Sequence, residues 1–383
     1  MQQLLKRYTQ LLLDEQCVKA GRIAISAQND TIFCYGNQTF ALLAHTVLQR
    51  LNCAAVIVAE PLHPFPAFLL CRSRPDEGVL IPRDSESRSS LHDIPLIRYN
   101  QDQAILLNNI CAALNKRKGC IVEGIGIISQ GSLTVEQAYI AWSSLSHATT
   151  IKYFEDLLAT GPMLPDEAHA VRCYKNTCLK PLNVTRYTFS TLFPTASRQA
   201  ALNEISLLGQ ATVELGLVDS FFGNISCLLN KRLYISQTSA RLDELTSQID
   251  SVPFDGRSTS GITASSELPA HQAIILATDC RIILHGHPRF SVIMSFYADS
   301  ASNKDFDFVD SFPVIGGEGG VGGLAENLPK AFCQTATQAV IVRGHGVFVR
   351  SATGCGEALA CLANVEQRCR DIYFARLYAH YQI

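Results

Sequence analysis

Three histidines and one glutamate in the second half of the chain have the types and spacing that metal and acid/base chemistry need. His285 and His287 stand two apart at the end of an apolar run, 281–287. If that run is a strand, side-chain alternation sends both imidazoles to one face. His345 lies in Val342-Arg343-Gly344-His345-Gly346-Val347, where the flanking glycines carry no side chain to crowd a ligand. Three imidazoles with one open position make a catalytic zinc site. Two strand-end histidines bonded to backbone would give the same His-x-His pattern, so the pattern alone does not decide. Glu267 adds to it. It follows Ser265-Ser266 and precedes His271, in a segment whose serine, proline and apolar spacing read as a helix start. Helix starts offer free N–H groups and a positive dipole end, which suit a phosphate or carboxylate. In that position Glu267 is a metal ligand, a general base or a capping acid.

These residues need a scaffold, and the chain describes one twice. Residues 119–158 match 339–378 at a constant offset of 220, with Val122 on Val342, Gly124 on Gly344, Gly126 on Gly346 and Ala138 on Ala358. Tyr153 and Phe154 fall on Tyr373 and Phe374. Each stretch reads as an apolar strand, a polar turn and a long helix, the helices covering 134–158 and 355–378. Upstream, His45…AVIVAEPLHP and His271…RIILHGHP each run from a helix into a strand ending in His-Pro, which sets His63 on His287. The repeat and the alternation of strands with helices predict an α/β chain with tandem domains at 1–160 and 191–383. A linker at 161–190 joins them, with Pro162, Pro165, Pro181 and Pro194 in or beside it. On this alignment Ala41 stands at Glu267, Pro61 at His285 and Ile125 at His345, and most of the loop between Ile235 and Glu267 is missing. Only His63 survives, as a packing or capping residue, so the first copy reads as degenerate and structural.

Composition narrows the function. The 383 residues carry 32 basic and 34 acidic side chains, a net charge of −2, which gives no electrostatic case for nucleic acid or an anionic membrane. Apolar residues are 47% and charged residues 17%, against about 25% charged in ordinary domains. That balance predicts large cores and subunit interfaces. Residues 1–16 mix Lys6, Arg7, Asp14 and Glu15 with leucines and read as an amphipathic helix, not a signal peptide. No stretch approaches the ~18 apolar residues of a membrane span. Fourteen cysteines, scattered from Cys17 to Cys369 with no C-x-x-C pair, read as reduced and mostly buried thiols. A cytoplasmic location is expected.

Four motifs then fall in order: Gly223-Asn224-Ile225-Ser226, Ser265-Ser266-Glu267 with His271, His285-Gly286-His287-Pro288, and His345-Gly346. Together they resemble the class II aldolase/adducin family, with fuculose-phosphate aldolases among its members, over about 200–377. The resemblance implies two three-layer α/β/α domains, the first of them degenerate. It implies one zinc ion per chain, or another divalent metal in its place, on His285, His287 and His345. Glu267 becomes the acid/base residue of a lyase that cleaves a sugar or sugar phosphate by a retro-aldol step, through a metal-stabilised enediolate. Gly223, Asn224, Thr238, Ser265 and Ser266 fall at substrate- or phosphate-holding positions, and a homo-oligomer is expected. One departure concerns the family's T-P-S-G or T-P-T-G, which reads Ser236-Gln237-Thr238-Ser239 here. The glycine that lets backbone approach a phosphate is missing, which predicts a rearranged loop or an unphosphorylated substrate. The long polar stretch 241–262 is expected to cover the site. Alternatives of the same fold are a pentulose-phosphate 4-epimerase, which carries aspartate at the glutamate position, and a thio-sugar dehydratase. A non-enzymatic adducin-like scaffold is less compatible with retained ligands. Gly317-Glu318-Gly319-Gly320-Val321-Gly322 spells G-x-G-x-x-G between Phe312–Ile315 and a helix at 324–332, but the acidic residue expected ~20 positions on is absent. An NAD(P)-dependent oxidoreductase is therefore a minor reading.

Overall fold

The computed structural model describes residues 1–179, 181–190, 197–218, 221–254, 263–300, 306–316 and 323–382. The chain forms two compact units, Met1–Lys180 and Pro181–Gln382. In the first, the strands are Val18–Gln28 (β1), Ile32–Gly36 (β2), Ala55–Pro61 (β3), Val79–Leu80 (β4), Ile94–Ile97 (β5), Gly119–Val122 (β6) and Gly126–Gly131 (β7). They order as β2-β1-β3-β7-β6-β5-β4, with β5 and β6 parallel and the other pairs antiparallel. Alternation along β3 sends Val56 and Val58 to one face, where Phe40, Ala44 and Val47 of helix Gln38–Leu48 meet Leu106 and Ile110 of helix Gln103–Leu114. The opposite face takes the long helix Val135–Thr160, whose buried Trp142 donates its indole N–H to the Ile127 carbonyl at 3.3 Å.

The second unit continues with Asn224–Leu229 (β8), Arg232–Ser236 (β9), Ile249–Pro253 (β10), Ile282–Gly286 (β11), Asp299–Ser300 (β12), Asp307–Val309 (β13), Phe312–Ile315 (β14), Ala339–Val342 (β15) and Gly346–Ser351 (β16). Its nine strands order as β10-β9-β8-β11-β16-β15-β14-β13-β12, and β14 and β15 make the parallel pair. Leaving out the edge strands β10 and β12, order and strand sense repeat those of the first sheet. Ile283 and Phe348 form one core with Ile274 of helix Leu268–Ala277 and with Leu328 and Phe332 of helix Gly323–Thr335. Helix Cys355–Tyr381 packs across β11 and β16.

Register corrects one sequence correspondence. Val58 pairs with Ile128 as His285 pairs with Phe348, each partner being the other's match at the 220 offset. Val58, not Pro61, therefore holds the place of His285. The sequence match at His-Pro is real only at the helix start: Pro64 opens Phe65–Arg72 and Pro288 opens Arg289–Ser295. From Val58 to Pro64 the first unit has three more residues than the second has from His285 to Pro288, and periodicity cannot see such an insertion. His63 stacks on Phe65 at 5.5 Å and meets Tyr174 edge-on at 4.8 Å, an aromatic packing contact.

The stretch read as a linker is folded. Glu167–Cys173 is an α-helix that runs into a π-helical turn, Tyr174–Cys178. Buried Glu167 accepts from Arg72 Nη2 at 2.9 Å and from the Leu164 N–H at 2.9 Å. Residues up to 180 belong to the first unit, and 181–190 belong to the second. All fourteen cysteines are free thiols; six are buried, while Cys71, Cys173 and Cys333 are exposed. The N-terminal helix is Gln2–Asp14, with Leu5 and Leu12 fully buried. Among the described residues, no helix is long and apolar enough to cross a membrane. The G-x-G-x-x-G segment, 317–322, and Pro194 lie outside the described residues.

Candidate metal centre

The second sheet brings the four motifs to one end. In β8 and β11, Asn224 sits opposite His285. Gly223 has φ +77°, and a Cβ there would stand 2.4 Å from the His285 carbonyl oxygen. Only glycine tolerates both the conformation and the approach. His287 follows the end of β11, directly before Pro288 opens the next helix. His345 rides the turn between β15 and β16, where Gly344 takes φ +65° and the His345 N–H donates to the Val342 carbonyl at 3.0 Å. A Cβ on Gly346 would lie 2.4 Å from the Gly286 oxygen and 2.9 Å from His285 Cε1. The glycines that flank His345 thus let its turn press against the other histidine strand.

His285, His287 and His345 are all buried, and their ligand nitrogens lie within 4.8 Å of one another. Ring centroids are 4.5 Å apart for His285 and His287, 5.0 Å for His285 and His345, and 4.9 Å for His287 and His345. His285 stacks on Phe348 at 3.9 Å, with its Nδ1 3.1 Å from the Val347 carbonyl oxygen. A carbonyl only accepts, so Nδ1 carries the proton and Nε2 the lone pair. That Nε2 is buried and has no hydrogen-bond partner. Burial pushes the His285 pKa down to about 4, so the ring is neutral near pH 7. Three clustered imidazoles, with the His285 nitrogen inward and unpartnered, fit a divalent ion of the zinc type.

Glu267 is the N-cap residue of Leu268–Ala277, yet its side chain makes no cap bond. The capping role is excluded. Instead, Oε1 lies 3.0 Å from His345 Nε2 and Oε2 lies 3.5 Å from His285 Nε2. Oε2 also accepts from Asn224 Nδ2 at 2.7 Å. Burial alone would raise this carboxyl's pKa, but the His285 and His345 imidazoles and the Asn224 amide outweigh it, holding it well below the usual range. Behind the cluster, His271 Nδ1 sits 2.7 Å from Ser226 Oγ, and burial lowers its pKa to about 3. Sequence reading marked both residues as motif members but not as a bonded pair.

The residues expected on the substrate side are in unequal states. Ser265 is buried and its hydroxyl accepts the Glu267 N–H at 3.3 Å, whereas Ser266 and Thr238 are exposed. Thr238 is fastened to the neighbouring segment, its N–H to the Thr263 carbonyl at 2.8 Å and its hydroxyl to the Ala264 carbonyl at 2.9 Å. Ser239 holds φ +58°, so the loop keeps a left-handed residue where the glycine is missing. Of the stretch expected to cover the site, Leu242–Glu244 is a 3-10 turn and Ile249–Pro253 is edge strand β10, paired with β9. Residues 255–262 lie outside the described residues.

Residues 203–373 match the model of the Class II Aldolase and Adducin N-terminal domain. The second unit of this chain belongs to the class II aldolase and adducin family. Solved structures similar to it include l-fuculose-1-phosphate aldolase from Thermus thermophilus, 21% identical over 48% of this chain and 98% of that one, TM-score 0.40. YgbL from Klebsiella pneumoniae is 24% identical over 47% of this chain and 91% of its own, TM-score 0.41. L-fuculose 1-phosphate aldolase from Glaciozyma antarctica is 16% identical over 50% and 79%, TM-score 0.36. Comparison with curated proteins returns no match.

Proposed function

We propose that the second unit is a metal-dependent lyase acting on a sugar or sugar phosphate, and that the first unit is a structural copy that has lost the site. The observation that carries the first half is Glu267, placed within reach of two of three clustered histidines with an amide holding its other oxygen. The shared strand order, the matching parallel pair and the 220 offset support the second half. His285, His287 and His345 would hold the ion, and their nitrogen set favours Zn2+. When bound, the metal supplies positive charge for an oxygen that turns negative as a C–C bond beside a carbonyl breaks. The Glu267 carboxylate takes the proton of the departing hydroxyl and returns one to carbon. Asn224 and Ser265 orient it, through its side chain and its backbone N–H. Gly223, Thr238 and Ser266 form the adjoining substrate surface. Location in the cytoplasm and assembly of copies belong to the same reading; a monomer by light scattering at micromolar concentration refutes the assembly.

The test is a screen of ketose phosphates and free aldols for release of glyceraldehyde, lactaldehyde or dihydroxyacetone phosphate, with and without chelator. Chelator-sensitive release is expected. Release indifferent to chelation, or none from protein shown to carry metal, overturns the assignment.

A further inference from the structure

We infer that Ser295 is a positioning residue that locks the His345 turn to the helix leaving His287, an inference that rests on the metal reading above. Ser295 is the last residue of helix Arg289–Ser295, which Pro288 opens immediately after His287. It is fully buried. Its hydroxyl donates to the Val292 carbonyl at 2.6 Å and accepts the Gly344 N–H at 2.8 Å. Its own carbonyl accepts from Arg343 Nη1 at 2.7 Å, and the other side of that guanidinium pairs with Asp307. One buried serine thus grips both residues that precede His345. The strand pairs fix His285, and the short helix carries that frame from His287 to the turn, joining ligands far apart in sequence.

The first unit shows what the grip looks like without a histidine to place. Ser73 caps the corresponding helix, Phe65–Arg72, and its hydroxyl donates three residues back, to the Leu70 carbonyl at 2.7 Å. An arginine is there too: Arg98 Nη2 donates to the Ser73 carbonyl at 2.8 Å and to its hydroxyl at 2.9 Å. The difference is the acceptor's use. Ser73 gives its hydroxyl to the guanidinium, whereas Ser295 gives it to the backbone of the turn. In the first unit the corresponding turn carries Gly124 and Ile125, and no ligand depends on its position.

The test measures zinc affinity of the full chain by competition with a chromophoric chelator, together with the melting temperature of metal-free protein. Groups that orient metal ligands typically contribute about 10–100-fold in affinity. Ser295→Ala should weaken zinc binding by that order, and Ser73→Ala, at the end of the corresponding helix in the first unit, should leave it unchanged. Equal affinity in wild type and Ser295→Ala overturns the inference, and so does an equal loss in both variants, which is general destabilisation. If Ser295→Ala fails to fold, Arg343→Gln replaces it, with a loss of about tenfold expected and an unchanged affinity counting against. Wild-type protein that binds no zinc overturns the metal reading itself, a result distinct from zinc bound equally by all variants.

Discussion

At matched places in the two sheets, Ala24 stands for Asn224, Val58 for His285 and Ile125 for His345, while Ser26 stands for Ser226. The groups placed to face a ligand in the second unit are matched by hydrocarbon in the first, and the serine one step back is present in both. A histidine lies near that serine in both units. His271 touches Ser226 directly, whereas in the first unit Cys34 stands between, 3.1 Å from Ser26 Oγ and 3.7 Å from His45 Nδ1. Helix starts differ in the same sense. Gln38–Leu48 begins at its cap Asn37, eight residues before His45, and Leu268–Ala277 begins at Glu267, four before His271. An extra turn of helix, with Ala41 packed on the core, occupies the register that Glu267 leaves open. The physical lesson concerns burial. A buried imidazole or carboxylate without its partner is costly, so apolar filling is the stable choice at a matched position where nothing pairs with such a group.

The sharpest way to break the comparison is metal analysis of chelator-free protein. About one divalent ion per chain is expected, and His345→Ala should reduce this to near zero, while Ile125→Ala leaves it unchanged. A ratio near two would restore the first unit as a site. Next in size is Glu267→Gln, which keeps shape and a weak oxygen ligand but cannot take a proton. Turnover on an identified substrate should fall by about 10²–10⁴-fold, with metal content little altered. Near-normal turnover would remove the acid/base role. A third pair of variants separates fold from site. Gly126→Ala would set a Cβ 2.5 Å from the Ala59 oxygen, and Gly346→Ala would set one 2.4 Å from the Gly286 oxygen. Each should lose roughly 0.5–3 kcal/mol of stability, but only Gly346→Ala should also lose zinc affinity. Parallel losses of affinity would mean that the units are not independent in this respect.

The smallest effect is expected in acid, and in the first unit. Burial would raise the Glu167 pKa, but Arg72 and the Leu164 and Met163 N–H groups outweigh it and hold the carboxyl below its ordinary range. A depressed folded pKa gives stability that is present above the unfolded value and lost as pH falls through the folded one. The melting temperature should therefore drop as the pH falls below the ordinary glutamate range, and Glu167→Gln should flatten that drop. An unchanged slope would deny Glu167 the role.

Much of this was legible in the sequence, for reasons that can be named. The repeat at 220 located β6 with β15 and β7 with β16, because strands and turn there have equal lengths in both halves and the helices start at the same offset. The His-x-His spacing and the glycines around His345 marked the cluster because each reflects a local rule of alternation or close approach. Contacts between distant residues were not legible. Nothing near Pro162 or Pro165 announces that Glu167 will meet Arg72, 95 residues away, so folded chain read as linker. Asn224 was read as a phosphate holder because its motif says so, whereas its amide is bound to Glu267, 43 residues on. The placement of Pro61 at His285 failed because matching ran through the His-Pro pair and missed the insertion before it.

Ser239 carries a consequence for the order of folding. Serine does not favour φ +58°, and this conformation costs of order 1 kcal/mol outside glycine. The bonds that fasten Thr238, its neighbour, reach Thr263 and Ala264, about 25 residues along the chain. Such a loop is not expected to nucleate at its own turn, because its fastening partners lie just before helix Leu268–Ala277. If its contacts form after the transition state, weakening them should speed unfolding and leave the folding rate almost untouched. On this account the loop beside the proposed site is expected to form late and to open early.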